Sequence, residues 1–274
     1  MGARFDQHFL KDASAVQRIC DQVDPNCRSL LEIGPGQGVL TYELLKRGWS
    51  VHAIEMDSTL IPLLKQRFSA EIASGQFVLT HGDALTVPLD LIPFEYVVSN
   101  LPYSISSPIT FRLLEYPFQG AVLMYQKEFA DRMRAPIGSR ESGRLTIMVQ
   151  TFAYITHCFD LSRDAFFPRP AVGSSVLKLQ PKEPIFYIAN RETYAIVVRE
   201  LFSKRRKMVR RILAEATAVF GEEKVTELLS KLDPKILESR PENLYLEDYA
   251  TLSNLARHGE GALTVKSSSC RRMT

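Results

Sequence analysis

The sequence predicts an α/β fold in which helices cover a parallel sheet, followed by a smaller helical domain. From residue 29 to about residue 126, short apolar runs rich in Val, Ile and Leu alternate with segments long enough for a helix. Such alternation is typical of parallel strands joined by helical crossovers. Beyond about residue 190 the apolar residues are spaced as in helices.

Five strands are predicted in the first part of the chain, because Gly, Pro, Asn or Asp bounds each apolar run. A later run, Ser174–Leu179, alternates in polarity and is predicted to be one more strand. The Gly- and Ser-rich segment from Ala135 to Gly143 is a candidate lid before a helix that starts near Arg144. The five strands are Ser29–Ile33, Ser50–Glu55, Gln76–His81, Phe94–Ser99 and Gly120–Tyr125.

Length and composition limit the number of domains. The chain has 274 residues, of which 45% are hydrophobic, and this is enough for one large core and a second, smaller one. The stretch PKEPIFYIAN, which starts at Pro181, is predicted to end a Rossmann-like domain of residues 1–182. Residues 183–260 are then a helical RNA-binding domain, and residues 261–274 a disordered tail.

The composition also bears on location and oligomeric state. The sequence has no run of eighteen apolar residues and no apolar secretion signal at its start, so we expect a cytoplasmic monomer that does not bind membranes. The four cysteines, Cys20, Cys27, Cys158 and Cys270, form no CxxC pair. We therefore expect reduced thiols and no metal site.

Basic residues are concentrated in the last third of the chain. The formal net charge is only +3, which neither requires nor excludes a polyanionic partner. Phosphate contacts and a solvated helix face are both open interpretations of the basic run. The apolar residues Ile196, Leu201, Val209, Ile212 and Leu213 can share a core-facing side, with the basic residues largely on the other. The basic residues are Lys204, Arg205, Arg206, Lys207, Arg210 and Arg211.

A glycine-rich turn follows the first predicted strand. Gly34, Gly36 and Gly38 have GxGxG spacing, with Val39 at the last position of the dinucleotide pattern GxGxxG, which argues against NAD or FAD. Glu55 ends the second strand, where a carboxylate can accept hydrogen bonds from both hydroxyls of a ribose.

If the ligand at this turn is a nucleoside-containing cofactor, two further residues are candidates for binding its adenine. Met56 can pack on the ring, although a buried core Met is the commoner explanation for any single Met. Asp83, followed by Ala84 after the third strand, can accept a hydrogen bond from the adenine amine, or it can cap a helix. The ends of parallel strands meet at one edge, so Gly34, Glu55 and Asp83 are predicted to lie around one crevice.

The tetrapeptide Asn100-Leu101-Pro102-Tyr103 follows the fourth predicted strand. Its residue types suit methyl transfer to the N6 amine of adenine. This amine is a poor nucleophile because its lone pair is delocalised into the ring, and transfer requires the lone pair to turn towards the electrophile. The Asn100 side-chain oxygen and the Leu101 carbonyl could accept its two hydrogens and favour a tetrahedral nitrogen. Pro102 stiffens the loop, and Tyr103 offers a ring on which the base can stack. An ordinary Asn-Pro turn is the alternative.

The target base must be unpaired or flipped out of a duplex to reach this loop. Phe166 and Phe167 lie in a rigid, proline-containing stretch, FFPRP, and are candidates for the opposite wall of the base pocket. Core packing is the equally plausible role for these two phenylalanines.

In combination, nine motifs resemble the ribosomal RNA adenine N6,N6-dimethyltransferase family, in particular its small-subunit branch. The resemblance extends from Gln7 to about Leu255. The motifs are QHFL from Gln7, EIGPGQG from Glu32, IE at Ile54, GDAL from Gly82, NLPYSISSPITF from Asn100, QKEFADRM from Gln126, GRLTIMVQ from Gly143, FFPRPAVGS from Phe166 and LFSKRRKMVRRIL from Leu201.

This resemblance implies a Rossmann-like S-adenosylmethionine-dependent methyltransferase domain with a small C-terminal helical domain. It implies transfer of two methyl groups to each of two adjacent adenosines near the 3′ end of small-subunit rRNA, within a pre-30S or pre-40S-type subunit. The S-adenosylmethionine site would include His8, Leu10, Gly34, Gly36, Glu55, Met56, Asp83, Ala84 and Asn100, and the target adenine would meet Asn100, Leu101, Pro102 and Tyr103.

Two other functions are compatible with the same sequence. The chain could be a ribosome-assembly factor in which catalysis is secondary, although an assembly factor has no physical need for the NLPY loop. It could also methylate adenine N6 in large-subunit rRNA or in DNA. The basic run supports binding to any of these polymers and does not choose among them.

Overall fold

The structure, a computed structural model, describes residues 8–257. Gln7, Cys270 and the predicted tail of residues 261–274 therefore lie outside the described residues. The chain divides into two compact units. The larger contains the described residues up to Pro136 and Glu141–Pro184, and the smaller contains Ile137–Arg140 and the described residues from Ile185 onward. The sequence analysis placed the division at residues 182/183 and did not indicate that the loop segment 137–140 joins the smaller unit.

A seven-stranded sheet forms the centre of the larger unit, in the order β4-β3-β2-β5-β6-β9-β7. The strands from β4 to β6 are parallel, whereas β9 is antiparallel to both β6 and β7. A separate antiparallel pair joins β1 to β8. The strands are β1 (Phe9–Leu10), β2 (Ser29–Ile33), β3 (Ser50–Glu55), β4 (Phe77–His81), β5 (Tyr96–Asn100), β6 (Gly120–Gln126), β7 (Ala153–Leu161), β8 (Phe166–Phe167) and β9 (Ser174–Pro181).

Seven helices belong to the described part of the larger unit. The Asp12 carboxylate caps α1 by accepting hydrogen bonds from the Ser14 and Ala15 amides. Within residues 8–257, none of the helices combines the length and apolar character needed to cross a bilayer. The helices are α1 (Ala13–Cys20), α2 (Val39–Lys46), α3 (Ile61–Arg67), α4 (Ser69–Ala73), α5 (Ser106–Leu113), α6 (Lys127–Met133) and α7 (Arg144–Phe152).

The described part of the smaller unit is helical, apart from short turns. The five apolar residues predicted to face its core, Ile196, Leu201, Val209, Ile212 and Leu213, are all buried. The basic run differs from the prediction, because most of it lies in the connection between two helices and not along one helix face. The helices are α8 (Arg191–Ser203), α9 (Val209–Ala214), α10 (Thr217–Phe220), α11 (Glu222–Lys231), α12 (Pro234–Leu237) and α13 (Leu246–Ala256).

The predicted strands agree with the structure to within two residues, and the helix at Arg144 starts where expected. Three strands were not predicted: β1, β7 and β8. Strand β7 directly follows α7, with no breaking residue between them, so nothing in the local sequence marks the change. The two-residue strands β1 and β8 are too short to show alternation, and they exist only because they pair with each other.

A close approach between β5 and β6 fixes the strand that carries Asn100. Gly120 lies opposite Tyr96 in the parallel register, and Tyr96 is only 2% exposed. A Cβ atom at Gly120 would lie 2.5 Å from the Tyr96 ring. Position 120 therefore has to be glycine for the Tyr96 ring to pack against β6.

We predict that Gly120→Ala lowers the free energy of unfolding by about 1 to 3 kcal/mol, because the added methyl group overpacks this contact. Urea denaturation measures the loss. Gly143→Ala is the control, since a Cβ there meets nothing within 4 Å and its φ of −150° suits any residue. Equal stability of the two variants would contradict the packing argument.

Candidate active site

A cleft opens where the strand order reverses, between β2 and β5, which is where doubly wound sheets bind ligands. Its volume is about 650 Å³, including the part open to solvent. Loops after β2 and β5 form its walls together with β1 and the ends of β2 and β3. The lining residues are His8, Phe9, Leu10, Glu32, Gly34, Pro35, Gly36, Gln37, Val39, Leu40, Glu55, Asn100, Leu101, Pro102 and Tyr103.

The glycine-rich turn brings backbone directly to the cleft. Gly34 and Gly36 have φ angles of +67° and +59°, a region that side chains with a Cβ rarely adopt. A Cβ at Gly36 would lie 2.9 Å from the Phe9 ring, and one at Gly34 would lie 3.4 Å from Pro102. The turn therefore packs against both β1 and the NLPY loop, and glycine is what permits the approach.

The Glu55 carboxylate faces the cleft and is held by two backbone amides. Its Oε2 accepts a hydrogen bond from the Gly36 amide at 3.1 Å, and its Oε1 accepts one from the Asp57 amide at 2.8 Å. Burial raises the pKa of Glu55, and these hydrogen bonds oppose the rise. Each oxygen keeps a further lone pair, so this fixed carboxylate can accept hydrogen bonds from two hydroxyls of a ribose.

Three of the predicted cofactor residues, Met56, Asp83 and Ala84, lie outside the lining of the cleft, at the ends of β3 and β4. Met56 is 53% exposed, which excludes the alternative that it is a buried core Met. The Asp83 Oδ1 accepts a hydrogen bond from the Leu85 amide at 2.8 Å. The carboxylate thus caps a turn with one oxygen and keeps Oδ2 for a ligand.

Asn100 projects from the end of β5 into the cleft. Its Nδ2 donates a hydrogen bond to the His8 carbonyl at 3.0 Å. A carbonyl can only accept, so this contact settles which end of the amide faces the N-terminal segment. No residue in the range 8–257 donates to Oδ1. The Asn100 oxygen is therefore available in the cleft as an acceptor.

Leu101 and Tyr103 complete this loop. Leu101 lines the cleft, although the residue as a whole is only 1% exposed. The Tyr103 hydroxyl lies 2.7 Å from the Ser174 Oγ, and the Tyr103 ring lies 5.6 Å from the His8 ring, centroid to centroid. Ser174 is fully buried. The Tyr103 ring is consequently held from both the N-terminal segment and β9.

The FFPRP stretch reaches the site by pairing with the N-terminal segment. Phe9 lies opposite Phe167 in the β1–β8 pair, and the His8 Nδ1 donates to the Pro168 carbonyl at 2.8 Å. The peptide bond between Phe167 and Pro168 is cis. Phe166 is 1% exposed and packs in the core, whereas Phe167 is 68% exposed. Of the two candidate walls for a base, only Phe167 presents an open ring.

Glu32 is a second buried carboxyl group in the cleft, which the sequence analysis did not single out. It is 1% exposed, and its Oε2 accepts a hydrogen bond from the Thr41 hydroxyl at 2.7 Å. Burial raises the pKa of Glu32 to about 8, with a smaller contribution from the charge of Glu55. The group lies inside the otherwise apolar strand β2, and that position explains its burial.

The basic run lies in the smaller unit, and carboxylates pair with half of it. Lys204 and Lys207 both pair with Glu215, at 2.8 and 2.6 Å. Arg205 pairs with Glu242 at 2.9 Å and donates to the Arg140 carbonyl. Half of the run is thus committed to contacts within the unit.

The other three basic residues, Arg206, Arg210 and Arg211, are exposed. Arg210 lies 3.9 Å from Glu238, at the limit of an ion pair. Within residues 8–257, Arg206 and Arg211 have no carboxylate partner. In the same range no group of three His, Cys, Asp or Glu side chains could hold a metal ion, and Cys20, Cys27 and Cys158 are free thiols.

Comparison with known sequences gives one consistent result. The family model for ribosomal RNA adenine dimethylase matches residues 2–255. A protein of Methanospirillum hungatei named "Probable ribosomal RNA small subunit methyltransferase A" is 55% identical over 254 residues, which cover 93% of this chain and 98% of that protein. A protein of the same name from Methanosarcina mazei is 39% identical over 93% of this chain and 92% of that protein.

Solved structures agree with the sequence comparison. A dimethyladenosine transferase from Plasmodium falciparum is 31% identical, with a TM-score of 0.73 over 89% of this chain and 96% of that one. The 23S rRNA methyltransferase ErmE is 26% identical, with a TM-score of 0.63 over 90% of this chain and 99% of that one. Both similarities extend over most of each chain.

The raised pKa of Glu32 makes stability depend on pH. The folded protein keeps this proton up to about pH 8, whereas the unfolded chain releases it near the ordinary Glu value of about 4.3. The folded state binds more protons between these two values, so the contribution of Glu32 to stability declines as pH rises through this window.

We predict that Glu32→Gln removes this decline and stabilises the protein at pH 8.5 by up to about 5 kcal/mol, with little change at pH 4.5. Urea denaturation at the two pH values measures it. Glu128→Gln, at an exposed position on α6, is the control and leaves the pH dependence unchanged. A wild-type decline that persists in Glu32→Gln would show that another group is responsible.

Proposed function

Because this chain belongs to the ribosomal RNA adenine dimethylase family, we propose that it transfers two methyl groups to N6 of each of two adjacent adenosines near the 3′ end of small-subunit rRNA. The observation that carries this proposal is the Asn100 amide. Its nitrogen is fixed by the His8 carbonyl, so its unpaired oxygen is presented in the cleft. The names of the most similar sequences support the small subunit as the source of the RNA.

Two parts of the cleft, together with Asp83 at the end of β4 outside its lining, suit the methyl donor of this family, S-adenosylmethionine. The Glu55 carboxylate suits the ribose hydroxyls, and the turn at Gly34 and Gly36 has positive φ angles, with no space for a Cβ at Gly36 beside the Phe9 ring. The free Oδ2 of Asp83 suits the adenine amine. When bound, S-adenosylmethionine supplies a methyl group on a positively charged sulfur, which makes that carbon electrophilic.

Orientation of the target amine is the main catalytic contribution of the protein. The Asn100 Oδ1 and the Leu101 carbonyl accept the two N6 hydrogens, which turns the nitrogen lone pair away from the ring. Both acceptors also stabilise the positive charge that develops on N6 during transfer. Because an amide is not a strong base, the proton leaves N6 late or after transfer. Such positioning contributes up to roughly 7 to 11 kcal/mol in favourable systems.

The flipped base lies between two rings in this proposal. Tyr103 is held by Ser174 and by the His8 ring, and it provides one stacking face. Phe167, which is exposed and joined to β1, provides the other. Stacking of this kind contributes on the order of 1 to 3 kcal/mol per base, which helps to offset the cost of removing the base from its stack.

The substrate is proposed to be rRNA within an immature pre-30S or pre-40S-type subunit, bound by one copy of the chain in the cytoplasm. Arg206, Arg210 and Arg211 contact its phosphates in this proposal. The similarity to ErmE makes large-subunit rRNA the natural second substrate to test. The higher identity to proteins named for the small subunit favours the latter.

Mass spectrometry of rRNA from cells with and without this chain tests the proposed function directly. We expect two adjacent N6,N6-dimethyladenosines near the small-subunit 3′ end only when the chain is present. Dimethyladenosine in large-subunit rRNA instead would assign the enzyme to the other substrate. Unmodified rRNA together with a small-subunit assembly defect would favour the role as an assembly factor.

We predict that Asn100→Ala lowers kcat by on the order of 10²- to 10³-fold, equivalent to about 2.7 to 4 kcal/mol, because one oriented acceptor is removed. The affinity for S-adenosylmethionine changes less. Single-turnover methylation of small subunits and calorimetric binding of the cofactor separate the two effects. Asn26→Ala, in an exposed turn, is the control. Undiminished turnover would reject the role of Asn100.

We predict that replacing Arg206, Arg210 and Arg211 by Gln weakens binding to small-subunit RNA. The slope of log affinity against log salt should fall by roughly 0.7 to 0.9 for each phosphate that the variant no longer neutralises. Binding titrations over a range of salt concentrations measure both. The matched control is Lys204→Gln with Lys207→Gln, whose charges are already paired with Glu215. If the two sets of variants change the slope equally, these arginines have no special part in RNA binding.

A further inference from the structure

We propose that Arg112 is a positioning residue that shapes the site for the adenine of the cofactor, by holding the loop Asp83–Val87. The proposal rests on the function proposed above, because it takes S-adenosylmethionine as the ligand and Asp83 as the partner of its adenine amine. Arg112 itself contacts neither the cofactor nor the RNA. It acts only through the loop.

The Arg112 guanidinium donates hydrogen bonds to two backbone carbonyls of that loop and lies over the Tyr116 ring, 5.9 Å from its centroid. Its Nη1 donates to the Ala84 carbonyl at 2.9 Å, and its Nη2 donates to the Val87 carbonyl at 2.5 Å. A planar guanidinium that makes two such bonds fixes both the distance and the orientation of its partner. The side chain is half-buried, so water competes for these carbonyls less than on an open surface.

The loop needs an external support of this kind. Within it, the Leu85 amide bonds to the Asp83 carboxylate, and the Thr86 and Val87 amides bond to the Asp83 carbonyl. These bonds close the turn on itself but do not tie its far side to the sheet. On its near side, the Gly82 amide donates to the Glu55 carbonyl at 2.9 Å. Arg112 is thus the anchor of the far side.

The helix that carries Arg112 also starts at the catalytic loop. Helix α5 begins three residues after Tyr103, and Arg112 lies in its last turn. The buried Thr110 hydroxyl of α5 lies 2.8 Å from the Tyr125 hydroxyl of β6, which fixes the helix on the sheet. One rigid helix therefore relates the position of the NLPY loop to that of the adenine loop.

This arrangement predicts an effect on the affinity and base selectivity of cofactor binding. If the loop shifts, Asp83 no longer meets the adenine amine, so the protein should lose its preference for adenine over hypoxanthine, which has an oxygen in place of that amine. A general loss of stability would not change this preference. The preference is therefore the measurement that separates positioning from ordinary structural support.

The test uses calorimetry without RNA, on S-adenosylhomocysteine and its inosine analogue. For Arg112→Gln we expect at least a tenfold rise in the Kd of S-adenosylhomocysteine and a much smaller ratio between the Kd values of the two ligands. Arg112→Lys, which keeps the charge but only one compact donor, should be intermediate. If Arg112→Gln does not fold, the ratio of the two Kd values in Arg112→Lys tests the proposal.

Arg47→Gln is the matched control. The Arg47 guanidinium bonds to the Gln17 carbonyl and to the Asp21 and Glu43 carboxylates, so its removal destabilises the same unit without touching a cofactor loop. We expect its ligand ratio to stay at the wild-type value. An unchanged ratio in both Arg112 variants, or an equal change in Arg47→Gln, would overturn the proposal. Because no RNA is used, failure of the proposed rRNA reaction would leave this result unaffected.

Discussion

The hydrogen bond from the Asn100 amide to the His8 carbonyl is the contact on which the proposed chemistry depends. It joins residues 92 positions apart in the sequence, and it fixes which atom of the amide faces a ligand. The His8 carbonyl is held in turn by the pairing of β1 with β8 and by the bond from the His8 ring to Pro168. A short N-terminal segment thereby controls the orientation of a side chain at the end of a central strand.

The cleft combines two buried carboxyl groups that are stabilised differently. The Glu55 carboxylate accepts hydrogen bonds from two backbone amides and lies where hydroxyl groups of a ligand can reach it. Glu32 is more deeply buried and has the Thr41 hydroxyl as its hydrogen-bond donor. Their mutual repulsion adds to the burial of Glu32, which favours its protonated form. A protonated Glu32 thus lies close to the glycine-rich turn, whose Gly36 amide donates its hydrogen bond to Glu55.

The basic residues of the run in the smaller unit form two groups. A run of six basic residues separates into a set paired with Glu215 and Glu242 and a set of exposed arginines. Paired charges on a protein surface contribute little to long-range attraction, since each is cancelled nearby. The exposed arginines are those that an RNA phosphate would meet, so the density of basic residues in a sequence overstates the positive surface that results.

Local patterns were enough to predict the class of fold, the five parallel strands and the residues at their ends, because alternating apolar runs and Gly, Pro and Asn breaks are local properties. Gly34, Glu55 and Asn100 could therefore be assigned to one edge of the sheet. The partners of His8, Tyr103 and Arg112, the burial of Phe166 and the pairing of the basic run instead depend on three-dimensional packing. Those features arise from contacts between residues far apart in the chain, and no local pattern records which distant atom a side chain will meet.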